Sequence, residues 1–265
     1  MTGLYDKCFE ALMASDVGHK RMLISALCQH DILSLSRNES SRPAQAVHFP
    51  GRPDKPELVH PRQLTRRKIG TANGLASFIH AIAHIEFNAI NLALDAAYRF
   101  RDMPDEYYVD WLSVAAEEAR HHQLLVDRLH QLDCKYGDFP AHNGLWDMAI
   151  KTDHDVLLRM ALIPGVFEAR GLDVTPPMID RLERIGETES ANILRLILRE
   201  EVGHVAIGNR WYRFECERRG LDPDDTFISL VSEYLPGRKH GPFNLVDRRV
   251  AGFSDELTDR LGRIN

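Results

Sequence analysis

Two stretches of this chain, EEARHH at 117–122 and EEVGHV at 200–205, place glutamates and histidines inside segments otherwise patterned like apolar helices. They align without a gap: Glu117 with Glu200, Glu118 with Glu201, His121 with His204. A lone glutamate on an apolar stripe precedes each, Glu86 before the first and Glu168 before the second, at separations of 32 and 33 residues (86 to 118, 168 to 201). Residues i and i+3 of a helix lie about 60° apart and one turn along the axis, so Glu118 projects with His121 and Glu201 with His204. Two helix-pair halves, each reading Glu…Glu-x-x-His, match the inward-facing set that holds two metals in di-iron and di-manganese carboxylate bundles.

The chemistry supports that match. Four carboxylates brought together in an apolar interior repel one another and lose hydration. Two divalent cations neutralise them while two imidazoles stay neutral. Carboxylate and imidazole donors without a thiolate suit iron or manganese. The predicted ligands are therefore Glu86, Glu118, His121, Glu168, Glu201 and His204. The predicted cofactor is a pair of iron ions, with manganese or a mixed manganese–iron pair as the alternative. A single Glu-x-x-His is a cheap motif. A third copy, Glu57 to His60, falls in a proline-rich stretch and is read as accidental. The competing reading puts all these side chains on solvated faces. It has to account for Glu86 among Ile79, Ile82, Ile85 and Ile90, and for Glu118 on the stripe of Trp111, Val114 and Leu125. Adjacent His122, at i+4 from Glu118, competes with His121 for the ligand role. The alignment pairs His122 with Val205 and favours His121.

Helical phase also selects neighbours. Tyr212 follows Glu201 by eleven residues and Tyr107 precedes Glu118 by eleven, each about 20° away in projection. Each is read first as a core tyrosine with a satisfied hydroxyl, and second as a hydrogen-bond donor or channel wall beside the metals. Ala161, Gly165 and Gly208 fall near the ligand faces, where room for oxygen or substrate and close helix packing weigh equally. His80 and His84 project away from Glu86 and read as core or surface histidines. Asp95 and Asp110 are candidate carboxylate partners for the ligating imidazoles.

The elements that must carry these residues follow from hydrophobic periodicity. Short helices are expected at 3–14 and 18–36. Residues 37–68, with five prolines, form a long irregular connection. Its end, RQLTRRK, is the most basic stretch and reads as a solvated charge run first and a phosphate or RNA contact second. Long helices are expected at 71–101 and 104–133, with a short one at 142–151. The next helix should begin at a Thr152 cap with Asp155 three residues on, kink at Pro164 and stop near Gly171. Thr175-Pro176 should open a separate short helix to about Gly186. A long helix at 188–219 ends before Gly220, a short one runs from Pro223 to about 235, and a weak pattern lies at 254–262. No convincing strand appears.

Bulk properties bound the function. The chain has 265 residues, 44% hydrophobic content and a formal charge of −6. That balance neither implies nor excludes a nucleic-acid partner, because a local patch suffices. Four scattered cysteines without a CxxC pair fit reduced thiols. The first ten residues carry no signal-peptide pattern, and there is no run of about 18 uncharged apolar residues. The expectation is a cytoplasmic protein without a membrane partner.

The stretches HAIAHIEFNAINLALDAAYRF, DWLSVAAEEARHH, YGDFPAHNGLWDMA, RMALIPGVFEARGLDVTP, EEVGHVAIGNRW and GPFNLVDRRVAGF, across about 50–253, resemble the ferritin-like superfamily. More closely, they resemble a bacterial ferritin-like family of unassigned function. A more distant similarity is to di-iron hydroxylases that modify a tRNA nucleoside. Gly165-Val166 departs from the family pattern, which has a larger basic residue there, and His122 stands where an aromatic is usual. The resemblance implies an all-α fold: a ferritin-like four-helix bundle over 71–219, with N-terminal helices and an irregular wrap over 1–70 and a C-terminal extension over 220–265, in a single domain. It also implies a di-iron centre. The leading expectation is an oxidase or hydroxylase that activates O2 or peroxide, acts on a small-molecule or nucleoside substrate and draws on an electron donor. The extra segments would cover the bundle, shape a substrate site or form a homodimer interface. The alternatives are a ferroxidase-like protein that handles iron or peroxide without an organic substrate, and a scaffold in which the metal is structural.

Overall fold

The computed structural model describes residues 3–29, 44–65 and 67–264. They are all-helical, with no strand and one isolated bridge, Leu58 to Ala141. The chain divides into two compact units, Met1–Ile150 and Lys151–Asn265. No helix among the described residues is long and apolar enough to cross a membrane.

The first unit is organised by a hairpin of α3 (Ala72–Arg99) and α4 (Asp105–Gln131). The Thr71 hydroxyl accepts from Gly74 N and starts α3. Asp105 and Glu106 place acidic charge in the first turn of α4, against the positive end of its dipole. Tyr107 bonds to Ala96 near the turn while His121 meets Glu86 far from it, so the two helices run antiparallel. From Glu86 to Tyr98 every residue of α3 is buried. Such a helix is enclosed on all sides. The shorter α1 (Leu4–Met13) packs on α3, and α2 (Val17–Gln29) packs on α4. Lys20 is fully buried and donates to the carbonyls of Ala11 and Leu12, closing the end of α1. Burial lowers its pKa to about 7. The predicted run of α2 beyond Gln29 lies outside the described residues. After α4 comes α5 (Gly144–Lys151). Glu57 and His60 lie in extended chain, and His60 caps a single 3-10 turn, so that Glu-x-x-His has no helix to aim it.

The second unit is built on α8 (Thr188–Arg219). Against it pack α6 (Val156–Leu162), a π-helical segment (Ile163–Glu168) and α7 (Ala169–Arg184). The ion pairs Arg195–Glu183 and Arg219–Asp155 join its two ends to opposite ends of that strand of helices, which fixes an antiparallel arrangement. Gly220, at φ 66°, closes α8 as expected. The unit is completed by α9 (Pro223–Tyr234), α10 (Leu245–Val250) and α11 (Asp255–Arg263). Of these, α10 was not expected from the sequence.

Three boundaries differ from expectation. Asp155 itself is the N-cap of α6, accepting from Leu157 N, whereas Thr152 accepts from buried Arg159 instead. The break at Pro164 is taken up as a π-helical turn rather than a simple kink. Gly171 does not end the helix, and Thr175-Pro176 does not start another, because α7 runs through both. Pro176 cannot donate to the Leu172 carbonyl, and the Asn244 side-chain amide donates to it in its place.

Candidate metal centre

In the first unit α3 presents Glu86 and α4 presents Glu118 and His121, and all three are buried. Ligand atoms of the three lie within 4.8 Å of one another. His121 Nδ1 sits 3.2 Å from Glu86 Oε2 and 3.6 Å from Glu118 Oε2. Burial pushes the Glu86 carboxyl well above the usual carboxylate range, and the negative charge of Glu118 adds to this. Burial opposes charge on His121, but its hydrogen bonds to Glu118 and Glu86 and their charges win and raise its pKa. Two carboxylates side by side in a dry interior thus call for positive charge, which a cation supplies. This buried Glu/Glu/His cluster can hold a metal ion.

His122 points elsewhere. One residue of helix is about 100° of rotation, and that turns it into a ring cluster. It stands 5.7 Å from the ring of Phe87 and 4.9 Å from that of Tyr136. Neither of its ring nitrogens has a hydrogen-bond partner among the described residues. Burial and the charge of Arg21 hold its pKa down at about 3, so it is neutral. His80 and His84 belong to the same cluster. His84 Nδ1 is 2.8 Å from the Tyr136 hydroxyl, and His80 Nε2 accepts from Gly137 N at 2.9 Å. Both are buried, as a core reading expects. That three histidines gather around Tyr136 was not visible in the sequence. The i, i+4 spacing of His80 and His84 was the one available signal, and Tyr136 comes from beyond the end of α4.

In the second unit α8 presents Glu201 and His204, with Glu201 Oε1 3.3 Å from His204 Nδ1. The π-helical segment that packs on α8 ends on Glu168, which is half-buried. Glu117 and Glu200 are half-buried as well. Tyr107 donates to Ala96 O, and Tyr212 donates to Pro223 O at 2.7 Å. Both hydroxyls serve the packing of their own units. A Cβ built on Gly208 would stand 2.2 Å from Pro164 Cβ, and one on Gly165 would stand 2.7 Å from the Phe227 ring. The missing side chains let helices approach closely. Asp95 is held by Arg99 in a bidentate pair with Nη2 2.7 Å from Oδ1.

The fold and site define an all-helical protein with a buried carboxylate–imidazole cluster suited to a metal. Residues 13–259 match the family described as "Protein of unknown function (DUF455)", and the chain belongs to it. A relative from Haemophilus influenzae, described as "Uncharacterized protein", is 46% identical over 214 residues, covering 78% of this chain and 74% of the relative. No solved structure matches the chain.

Proposed function

We propose that this chain is a non-haem di-iron carboxylate protein with a ferritin-like four-helix bundle. In this reading Glu86, Glu118 and His121 form one half of the centre, and Glu168, Glu201 and His204 form the other. The observation that carries it is the buried Glu86–Glu118–His121 cluster on α3 and α4, together with its sequence duplicate, Glu168 on the π-helical segment and Glu201 and His204 on α8. The donor set fits iron or manganese: hard carboxylate oxygens, imidazole nitrogens and no thiolate. When bound, two iron ions supply the redox chemistry that reduces O2 or peroxide and oxidises an organic substrate.

The protein's own contribution is orientation and exclusion of water. Glu118 and His121 are one helical turn apart and locked by burial. Glu86 reaches the same imidazole from the facing helix, which fixes the ring. Apolar neighbours such as Ile79, Ile90, Val114 and Leu125 are buried along the same helices and keep the surroundings dry. Gly208 lets α8 close onto Pro164 of the π-helical segment that bears Glu168, and Gly165 lets Phe227 of α9 pack on the same segment.

Elemental analysis of the purified protein tests this. Close to two metals per chain are expected, with sharp loss in Glu118→Ala and in His204→Ala, each checked for intact helicity by circular dichroism. Unchanged metal content in both variants overturns the assignment. A loss of only half the metal in each would show that the two halves bind independently. Rapid O2 consumption by the Fe(II)-loaded protein with no substrate turnover would redirect the reading to iron or peroxide handling.

A further inference from the structure

We propose that the second unit carries a binding site for a phosphate group, walled by Arg170, Arg238, Lys239, His240 and Arg248. These residues, with Asp173, line one cavity of about 40 Å3 beside the π-helical segment. A water needs roughly 10–15 Å3 of such space, so the cavity takes a group of a few heavy atoms.

Charge selects the group. Four of the lining side chains are cationic (Arg170, Arg238, Lys239, Arg248) and one is acidic, Asp173, an excess of three positive charges. Arg248 is 4% exposed, and its Nε and Nη2 grip the two oxygens of Asp173 at 2.9 and 2.8 Å. Its third nitrogen, Nη1, is buried without a hydrogen-bond partner among the described residues. His240 Nε2 is likewise buried without a hydrogen-bond partner among the described residues. A buried unmet donor is costly, the more so on a charged guanidinium, so the fold retains a donor that an anion would satisfy.

Arg238 and Arg170 are held in place beside it. Arg238 stacks on Phe167 at 4.3 Å and Arg248 on Phe243 at 4.6 Å. Arg170 donates to the carbonyls of Gly241 and Pro242, anchoring the loop that bears Lys239 and His240. Burial lowers the pKa of Arg238, and the neighbouring charge of Arg170 lowers it further. Burial also lowers that of His240, with Arg238, Arg248 and Arg170 adding to the effect. Like charges packed this closely repel until an anion joins them. A carboxylate would cancel one of the three excess charges. A phosphate dianion cancels two and offers several acceptor oxygens to the guanidinium forks. Gly165 and Val166 of the π-helical segment also line the cavity.

Isothermal titration of the full-length protein with inorganic phosphate, and separately with a nucleoside 5′-monophosphate, tests this site. The site requires no bound metal, so metal-loaded and chelated protein should behave alike. Saturable binding with Kd of about 1 mM or tighter is expected. It should weaken at least about tenfold in Arg238→Gln and in Lys239→Gln, both on partly exposed side chains, and remain unchanged in Arg218→Gln, which pairs with Glu215 elsewhere in the unit. Tighter binding of the monophosphate identifies the phosphate as part of a larger ligand. Equal binding identifies free phosphate, and both outcomes support the site. No saturable binding of either, or binding unaffected by Arg238→Gln and Lys239→Gln, overturns it.

Discussion

His121 and His122 are chemically identical neighbours with opposite environments. His121 lies between two buried carboxylates. His122 lies among Phe87, Tyr136 and other neutral rings, with both nitrogens unbonded. His121→Ala should therefore strip metal from the protein, and His122→Phe should leave the metal content unchanged. Replacing an unsatisfied buried imidazole with an apolar ring of similar size should cost nothing, or raise stability by about 1 kcal/mol in chemical denaturation. Metal loss in His122→Phe comparable to that in His121→Ala would refute this division of roles. The alignment with Val205 already pointed to this division. The sequence could not show where His122 goes, because Phe87 and Tyr136 reach it from other parts of the chain.

At the level of elements, the close approaches decide the geometry. α8 touches the segment around Pro164 because Gly208 has no side chain there. The Pro164 atoms that a Cβ would meet all belong to a rigid ring, so they cannot swing aside. Gly208→Ala should destabilise the protein by about 1–3 kcal/mol in urea denaturation, through forced separation of α8 from that segment. A neutral result would mean the helices are free to shift. Helix existence was largely readable from apolar periodicity, as the matches of α3, α4 and α8 to their expected spans attest. Helix continuity was not. Pro176 reads as a start signal, yet α7 passes through it, and the Asn244 amide from 72 residues away donates to the Leu172 carbonyl that the proline leaves unbonded. The π-helical turn has the same origin. A proline announces disruption, but which hydrogen-bond pattern absorbs it depends on the neighbours packed around it. Counting 100° per residue through 163–168 therefore misplaces any side chain beyond it, Glu168 included.

On the scale of the whole chain, the proposed centre ties stability to metal. Buried carboxylates that repel one another oppose folding until a cation joins them, and a ligand that binds only the folded state stabilises it by mass action. Chelation should lower Tm by several degrees, and re-addition of Fe(II) or Mn(II) under anaerobic conditions should restore it. The difference should vanish in Glu118→Ala. Equal Tm with and without metal in the wild-type protein would count against a shared buried centre.

The sequence by itself determined that the chain is helical, where the long helices α3, α4 and α8 lie, and that the two Glu-x-x-His copies ride on α4 and α8. These are local properties, set by side-chain periodicity and i, i+3 geometry. Tertiary structure alone decided that His122 turns to an aromatic cluster, that α7 runs through two prolines, and that five cationic or imidazole side chains converge around one small cavity. Those outcomes depend on which distant groups satisfy a buried charge or an orphaned carbonyl. No local pattern encodes that partner, because burial and pairing arise only when the helices pack.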